Sequence, residues 1–205
     1  MRSTLFVLPL AGAVVFAGCM SGGKQGSAGA SAAALGATDT TSHVRALLGS
    51  YEQGPSKEAW LKMGGDVPAS LQQIAQDANE LPSRRARACE VLGWFGSTGL
   101  TTLRSTLANA DLPGGIRMGA VTGLARALPT AEAVPAMTQA LADKDAMVRF
   151  RSVLELQRLG GPEAQAALQA RSGIETDGSV RKALGDALEK QAPAVTPSTP
   201  AIRTP

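Results

Sequence analysis

The residue types that usually perform chemistry are scarce in this sequence. Among 205 residues there is one histidine, His43, and there are two cysteines, Cys19 and Cys89. Zinc sites draw mainly on Cys and His ligands, so no multi-His or His-plus-Cys metal constellation can form. A Ser-His-Asp triad would have to use His43, which borders a Gly/Ala/Ser-rich stretch. No Gly-x-Ser-x-Gly elbow and no Walker-type phosphate loop occurs. Glu132 and Glu163 fall at helix starts, where a carboxylate suits the macrodipole and is not paired with a second acid. These residues imply no catalytic group, no cofactor, no metal and no small-molecule substrate. Cys89 reads as core filler, because a buried free Cys behaves as a small hydrophobe.

One regular constellation remains, and it is basic. Arg85, Arg117, Arg149 and Arg181 recur every 32 residues. Six residues before each stands Asn79, Asp111, Asp143 or Glu175. Evenly spaced arginines could track phosphates. However, on a helix each Arg falls about 100° from the first apolar position, inside the apolar sector. A charge held there needs a partner, and the acidic column supplies one. Arg149→Ala is then expected to strand Asp143. A formal charge of +3 is mild and points to no nucleic-acid partner, which calls for basic residues gathered on one face.

The elements that must position these residues follow from periodicity. RRARACEVLGWFG from Arg84, IRMGAVTGLARAL from Ile116, VRFRSVLELQRLG from Val148 and VRKALGDALEKQ from Val180 align without gaps. Apolar offsets 0, 4, 8 and 11 share one helical face. Second helices are expected over 67–78, 98–109, 131–142 and 162–171, with Gly and Pro punctuating the turns. A weaker pair, 43–53 and 56–63, reads as an N-terminal cap. Composition agrees: 36 Ala and 23 Leu favour helix, and seven aromatics are too few for a β-sandwich. The repeat region is expected to run over 43–190 as an all-α stack of about five helix pairs, since one pair cannot bury its own face.

Asp111…Arg117, Asp143…Val148-Arg149 and Glu175…Val180-Arg181 resemble the HEAT-repeat family and its bacterial HEAT-like relatives. The resemblance implies a right-handed α-solenoid with an acid–arginine ladder between neighbouring repeats. It also places the Arg-bearing helices on the concave, binding side. Opposite the core those helices carry Trp94, Arg126, Arg158 and Lys190, then Met118 and Phe150, then Arg87 and Arg151, and Leu154. Aromatics, Met and Arg together have the composition of a protein-binding interface. The same spacing also allows Trp94 and Phe150 to pack between repeats.

The N-terminus reads as an address. Residues 4–17 form an apolar run too short for a comfortable membrane span. The run ends in Phe16-Ala17-Gly18-Cys19, which resembles a bacterial lipobox, with a signal over 1–18 and Cys19 as the lipidated N-terminus. Val15 and Ala17 also fit ordinary secretory cleavage after Ala17. Met20 stands where an Asp retains enteric lipoproteins at the inner membrane, so the resemblance favours the outer membrane. Residues 19–42 read as a flexible tether with an r.m.s. span of about 25 Å, and 191–205, rich in Pro, as a disordered tail. The expected protein is an envelope-anchored scaffold that binds another protein non-covalently. A rival reading is a structural lipoprotein whose basic stripe binds peptidoglycan or an anionic glycan. A third is a lyase, since some HEAT-like relatives are phycobilin lyases, but those act in the cytoplasm and an export signal argues against it.

Overall fold

The computed structural model describes residues 40–50, 54–63 and 66–191, and within them all regular structure is helical. The signal segment, Cys19, the tether as far as residue 39 and the tail from 192 lie outside these residues. The first helix among the described residues, α1, covers 40–49, so three residues ahead of the expected domain start are already helical. It is followed by α2 (Lys57–Lys62), α3 (Val67–Gln76) and α4 (Pro82–Leu92). A 3-10 segment, Gly93–Gly99, leads into α5 (Leu100–Ala108) and α6 (Gly114–Ala127). Next come α7 (Thr130–Ala140), α8 (Ala146–Leu159), α9 (Pro162–Ser172) and α10 (Gly178–Gln191).

Local chemistry sets these boundaries. Asp66 and Asp145 accept from the N–H groups of Ala69 and Met147, satisfying donors that a helix start leaves unpaired. Pro82 and Pro162 occupy the first helical position, where a missing N–H costs nothing. The Gly160–Gly161 pair ends α8 and opens α9 with positive φ angles of 68° and 89°. The anticipated helix from Arg84 to Gly96 breaks early. Its α-helical part stops at Leu92, and Gly96, at φ 61° and ψ −132°, lies outside any helical region. Trp94 therefore sits on the 3-10 segment and not on the α-helix.

The helices form two layers. α4, α6, α8 and α10 pack side by side in one row, and α3, α5, α7 and α9 each lean on a helix of that row. The chain is an all-α solenoid, with α1 and α2 ahead of the first regular pair. The core lies between the layers. Leu71, Ile74, Leu92, Leu103, Leu124, Met137, Leu156, Leu168 and Leu184 are fully enclosed, and Trp60 of α2 joins them. The outer row is looser. α7 and α9 leave a largely apolar groove of about 1080 Å³ between Val134, Pro135, Leu159 and Ala167.

The α4–α6 contact is the tightest seam, because glycines let the backbones touch. A Cβ at Gly119 would lie 2.4 Å from the Ala86 carbonyl oxygen, and one at Gly123 would lie 2.4 Å from the Cys89 carbonyl oxygen. Neither obstacle is a movable side-chain tip. Gly185 in α10, by contrast, has nothing within 4 Å of an added Cβ. Two alanine substitutions therefore have opposite outcomes. Gly123→Ala is expected to lower stability by about 1–3 kcal/mol through overpacking. Gly185→Ala should raise it by roughly 0.5–1 kcal/mol by removing glycine's unfolded-state freedom. Urea midpoints of the two variants check the pair, and equal shifts would contradict the backbone seam.

Candidate functional site

Two rungs of the ladder are made, each between one repeat and the next. Arg117, 1% exposed at its side chain, meets Asp143 at 2.7 Å, and its Nε donates to the other carboxylate oxygen at 3.1 Å. Arg149 meets Glu175 at 2.8 Å and its Nε donates at 2.9 Å. Both pairs are bidentate, the strong form of a guanidinium–carboxylate contact. Each Arg also reaches back to the turn of its own repeat. Arg117 donates to the Ala110 and Leu112 carbonyls, and Arg149 to those of Asp143 and Lys144. Asp143 thus gives its side chain to Arg117 and its backbone to Arg149. The acid that loses its partner in Arg149→Ala is therefore Glu175, which keeps only Arg171 as a guanidinium partner. The expectation that Arg149→Ala would strand Asp143 takes the acid from the wrong repeat.

The other rungs are absent among the described residues. Arg85 is buried, but its Nε donates to the Ala75 carbonyl at 3.0 Å, and Asp111 is exposed. Turn closure explains the difference. In the later repeats the slot residue itself closes the turn, since Asp143 accepts from the Asp145 N–H and Glu175 from the Asp177 N–H. That bond fixes the carboxylate inward. In the earlier repeats a residue two positions upstream closes the turn instead. Asp77 accepts from the Asn79 N–H and Asn109 from the Asp111 N–H, so the slot side chains turn outward. Arg181 lies exposed on α10, the last described helix.

An N-terminal rung takes a different route. Arg45 of α1 donates to Glu80 at 2.6 Å, and Arg84 donates to the same carboxylate, whose side chain is nearly buried. α1 therefore stands where the Arg-bearing helix of a preceding repeat would stand. The sequence carried a signal for it. Val44-Arg45 repeats the Val148-Arg149 pair, but it lies 40 residues ahead of Arg84-Arg85, outside the 32-residue frame.

The solvent side of the α4–α6–α8–α10 row holds the candidate binding residues. Arg126 lies over the Trp94 ring, 5.0 Å from its centre, and donates to the Glu90 carbonyl at 2.9 Å. Arg158 donates to the Ala125 carbonyl at 3.0 Å and to Glu155 at 2.8 Å. Each of these arginines thereby reaches back over the end of the preceding repeat. Arg87 donates to the Ser50 carbonyl at 2.7 Å and joins α4 to the end of α1. Met118, Phe150 and Arg151 line a cavity of about 460 Å³ between α6, α8 and α10. Trp94 and Phe150 are half-buried against the core, yet each keeps part of its ring in solvent. Leu154 is half-buried and Lys190 is exposed. The arrangement brings Trp94, Arg126 and Arg158 into one strip.

Residues 107–189 match the family model described as HEAT repeats. These residues are HEAT repeats. The match begins at the end of α5 and runs through α10, so it covers both complete rungs. No curated protein matches the chain. HEAT repeats build helical scaffolds for protein interaction. Among the described residues, no group of three His, Cys, Asp or Glu is placed to hold a metal ion, and no helix is long and apolar enough to cross a membrane. Burial pushes the Cys89 thiol up to about 12, despite a hydrogen bond with Thr106 that works the other way. A thiol so held is a packing group and not a nucleophile.

The HEAT ladder carries a pH dependence. Hydrogen bonds from Arg149 hold the Glu175 carboxyl far below the usual carboxylate range, against the opposing effect of burial. Burial opposes the same shift at Asp143, and hydrogen bonds from Arg117 and the Asp145 N–H overcome it. A depressed folded pKa contributes stability that is present above the unfolded value and lost as pH falls toward the folded one. Unfolding free energy should therefore hold between pH 7 and 5 and fall steadily below about pH 4. Truncating Arg117 leaves Asp143 with no guanidinium, whereas Glu175 without Arg149 keeps Arg171 at 2.7 Å. Arg117→Ala is expected to cost about 3–5 kcal/mol, and Arg149→Ala less. Denaturant titrations at pH 7 and pH 3.5 check both the order and the loss.

Proposed function

We propose that this protein is a lipid-anchored scaffold of the bacterial cell envelope that binds another protein through the Trp94–Arg126–Arg158 strip. The anchoring half rests on sequence: the apolar run of 4–17 ends at Cys19 in a lipobox-like motif, and a Gly/Ala/Ser-rich stretch separates it from the first helix. Three acyl chains on Cys19 would anchor the chain stably, because each buried CH₂ contributes about 0.8 kcal/mol. Met20 after the cysteine favours the outer membrane.

The binding half rests on one observation. Trp94 and Arg126 form a stacked pair on the solvent side of the row, with Arg158 one repeat further on. Trp and Arg are the residues over-represented where binding energy concentrates. Their backbone hydrogen bonds hold both guanidinium groups in place, so less side-chain freedom is lost on binding. Two acids, Glu90 and Glu155, stand among these arginines. Such a mixed strip suits one complementary protein better than a long polyanion of the cell wall.

Affinity capture from envelope fractions, comparing wild type with the Trp94→Ala/Arg158→Glu variant, tests the reading. One protein is expected to be captured by wild type and lost by a variant that keeps its wild-type melting curve. Salt-sensitive retention on isolated cell wall, with no protein captured, would favour the glycan-binding alternative instead. Mass spectrometry of the mature N-terminus should find Cys19 carrying acyl mass. An unmodified N-terminus at Gly18 would reject the anchor.

A further inference from the structure

The strip has a repeat distance, and that distance selects a ligand. Arg126 belongs to α6 but reaches back over the end of α4, to the Glu90 carbonyl and the Trp94 ring. Arg158 belongs to α8 but reaches back over α6, to the Ala125 carbonyl. Their guanidinium groups are thus about one helix spacing apart, roughly 8–10 Å. An extended chain advances about 3.3 Å per residue. The arginines therefore match side chains about three residues apart on a strand crossing the helices. Each still has donors to offer. Arg158 uses its Nε and one terminal nitrogen internally, and its side chain remains 55% exposed. Arg126 is exposed and uses one terminal nitrogen.

Charge and shape define what fits. The charges that act on Arg126 are two acids, Glu90 and Glu155, and two further arginines, Arg151 and Arg158, and the Glu155 side chain is 9% exposed and already paired with Arg158. The strip therefore carries surplus donors and positive charge. At its N-terminal end lies a cavity of about 180 Å³ walled by Leu48, Trp60, Val91 and Trp94, with Arg87 and Arg126 at its edge. Arg87, Glu90 and Arg126 make one side of its lining polar, and the Trp94 side admits one apolar side chain.

Resting on the scaffold reading above, we propose that the partner presents an extended acidic segment, with an apolar residue followed by carboxylates about three positions apart. The apolar side chain enters the Trp60–Trp94 cavity. The carboxylates meet Arg126 and Arg158 in turn.

The test uses the full-length mature chain and a fluorescein-labelled decapeptide. Its leucine is followed by two glutamates three residues apart, with serine and threonine elsewhere. Fluorescence anisotropy should show binding at least about tenfold tighter than for the glutamine version, since two charge-assisted contacts are lost in the latter. Adjacent glutamates, which cannot span the two arginines, should also bind about tenfold more weakly. Arg158→Gln should remove the preference while Arg158→Lys keeps part of it. Equal binding of the glutamate and glutamine peptides would overturn the proposal without relying on any variant's folding. So would competition by heparin at matched charge, which would indicate a polyanion in place of a peptide. If the Trp94→Ala/Arg158→Glu variant still loses a captured partner while the peptides fail, the segment chemistry falls and the scaffold reading stands.

Discussion

Asp143 serves two arginines of two different repeats. Its carboxylate closes on Arg117 behind it and its carbonyl accepts from Arg149 in its own repeat. Because Arg149 in turn grips Glu175, the charges form a continuous line from α6 to the turn before α10. Buried charges of this kind are costly unless every group is satisfied, and here the turn supplies the remaining acceptors. The line therefore fixes the register of adjacent helix pairs as well as joining them. Apolar packing between Leu124, Leu156 and Leu184 would tolerate small slides, whereas a bidentate pair does not.

Much of this architecture was legible in the sequence, because its causes are local and repeated. A 32-residue period placed both helix rows within a few residues, and the Gly and Pro positions marked the turns. The acid and arginine columns were visible too, but which rungs close was not. That depends on which residue accepts the turn's N–H. Asp77 and Asn109 take that role in the early turns and send Asn79 and Asp111 outward. An alignment on columns 79 and 111 alone hides this competition from two residues upstream. Arg45 was obscured for a related reason, since α2 and its flanking turns displace it from the frame. The early end of α4 at Leu92 reflects the same limit. Periodicity carries through to Gly96, but the backbone contact of Gly93 with Gly123 and the positive φ of Gly96 belong to packing and turn geometry.

The candidate strip shows how structure and recognition share residues. Arg126 and Arg158 were legible as outward positions, but their hydrogen bonds to the preceding helix were not. Those bonds give each side chain a second role, tying one repeat to the last while holding its charged head in solvent. Rigid presentation of a rotamer-rich side chain reduces the entropy lost when a ligand is bound. Trp94 gains similarly, because the 3-10 segment lets half the ring pack while the rest remains open to Arg126.

The contrast between the two helix rows also has a mechanical consequence. Between α4 and α6 the spacing is held by backbone contact at the glycines, and arginine cross-links tie α6 to α4 and α8 to α6. Across the outer row, α7 and α9 stand apart over an apolar groove. A stack built this way bends about its stiff side, much as a beam bends about its neutral axis. Flexing opens or narrows the outer groove while the distance between Arg126 and Arg158 stays nearly constant. The strip can therefore behave as a ruler of fixed length on a body whose opposite side is compliant.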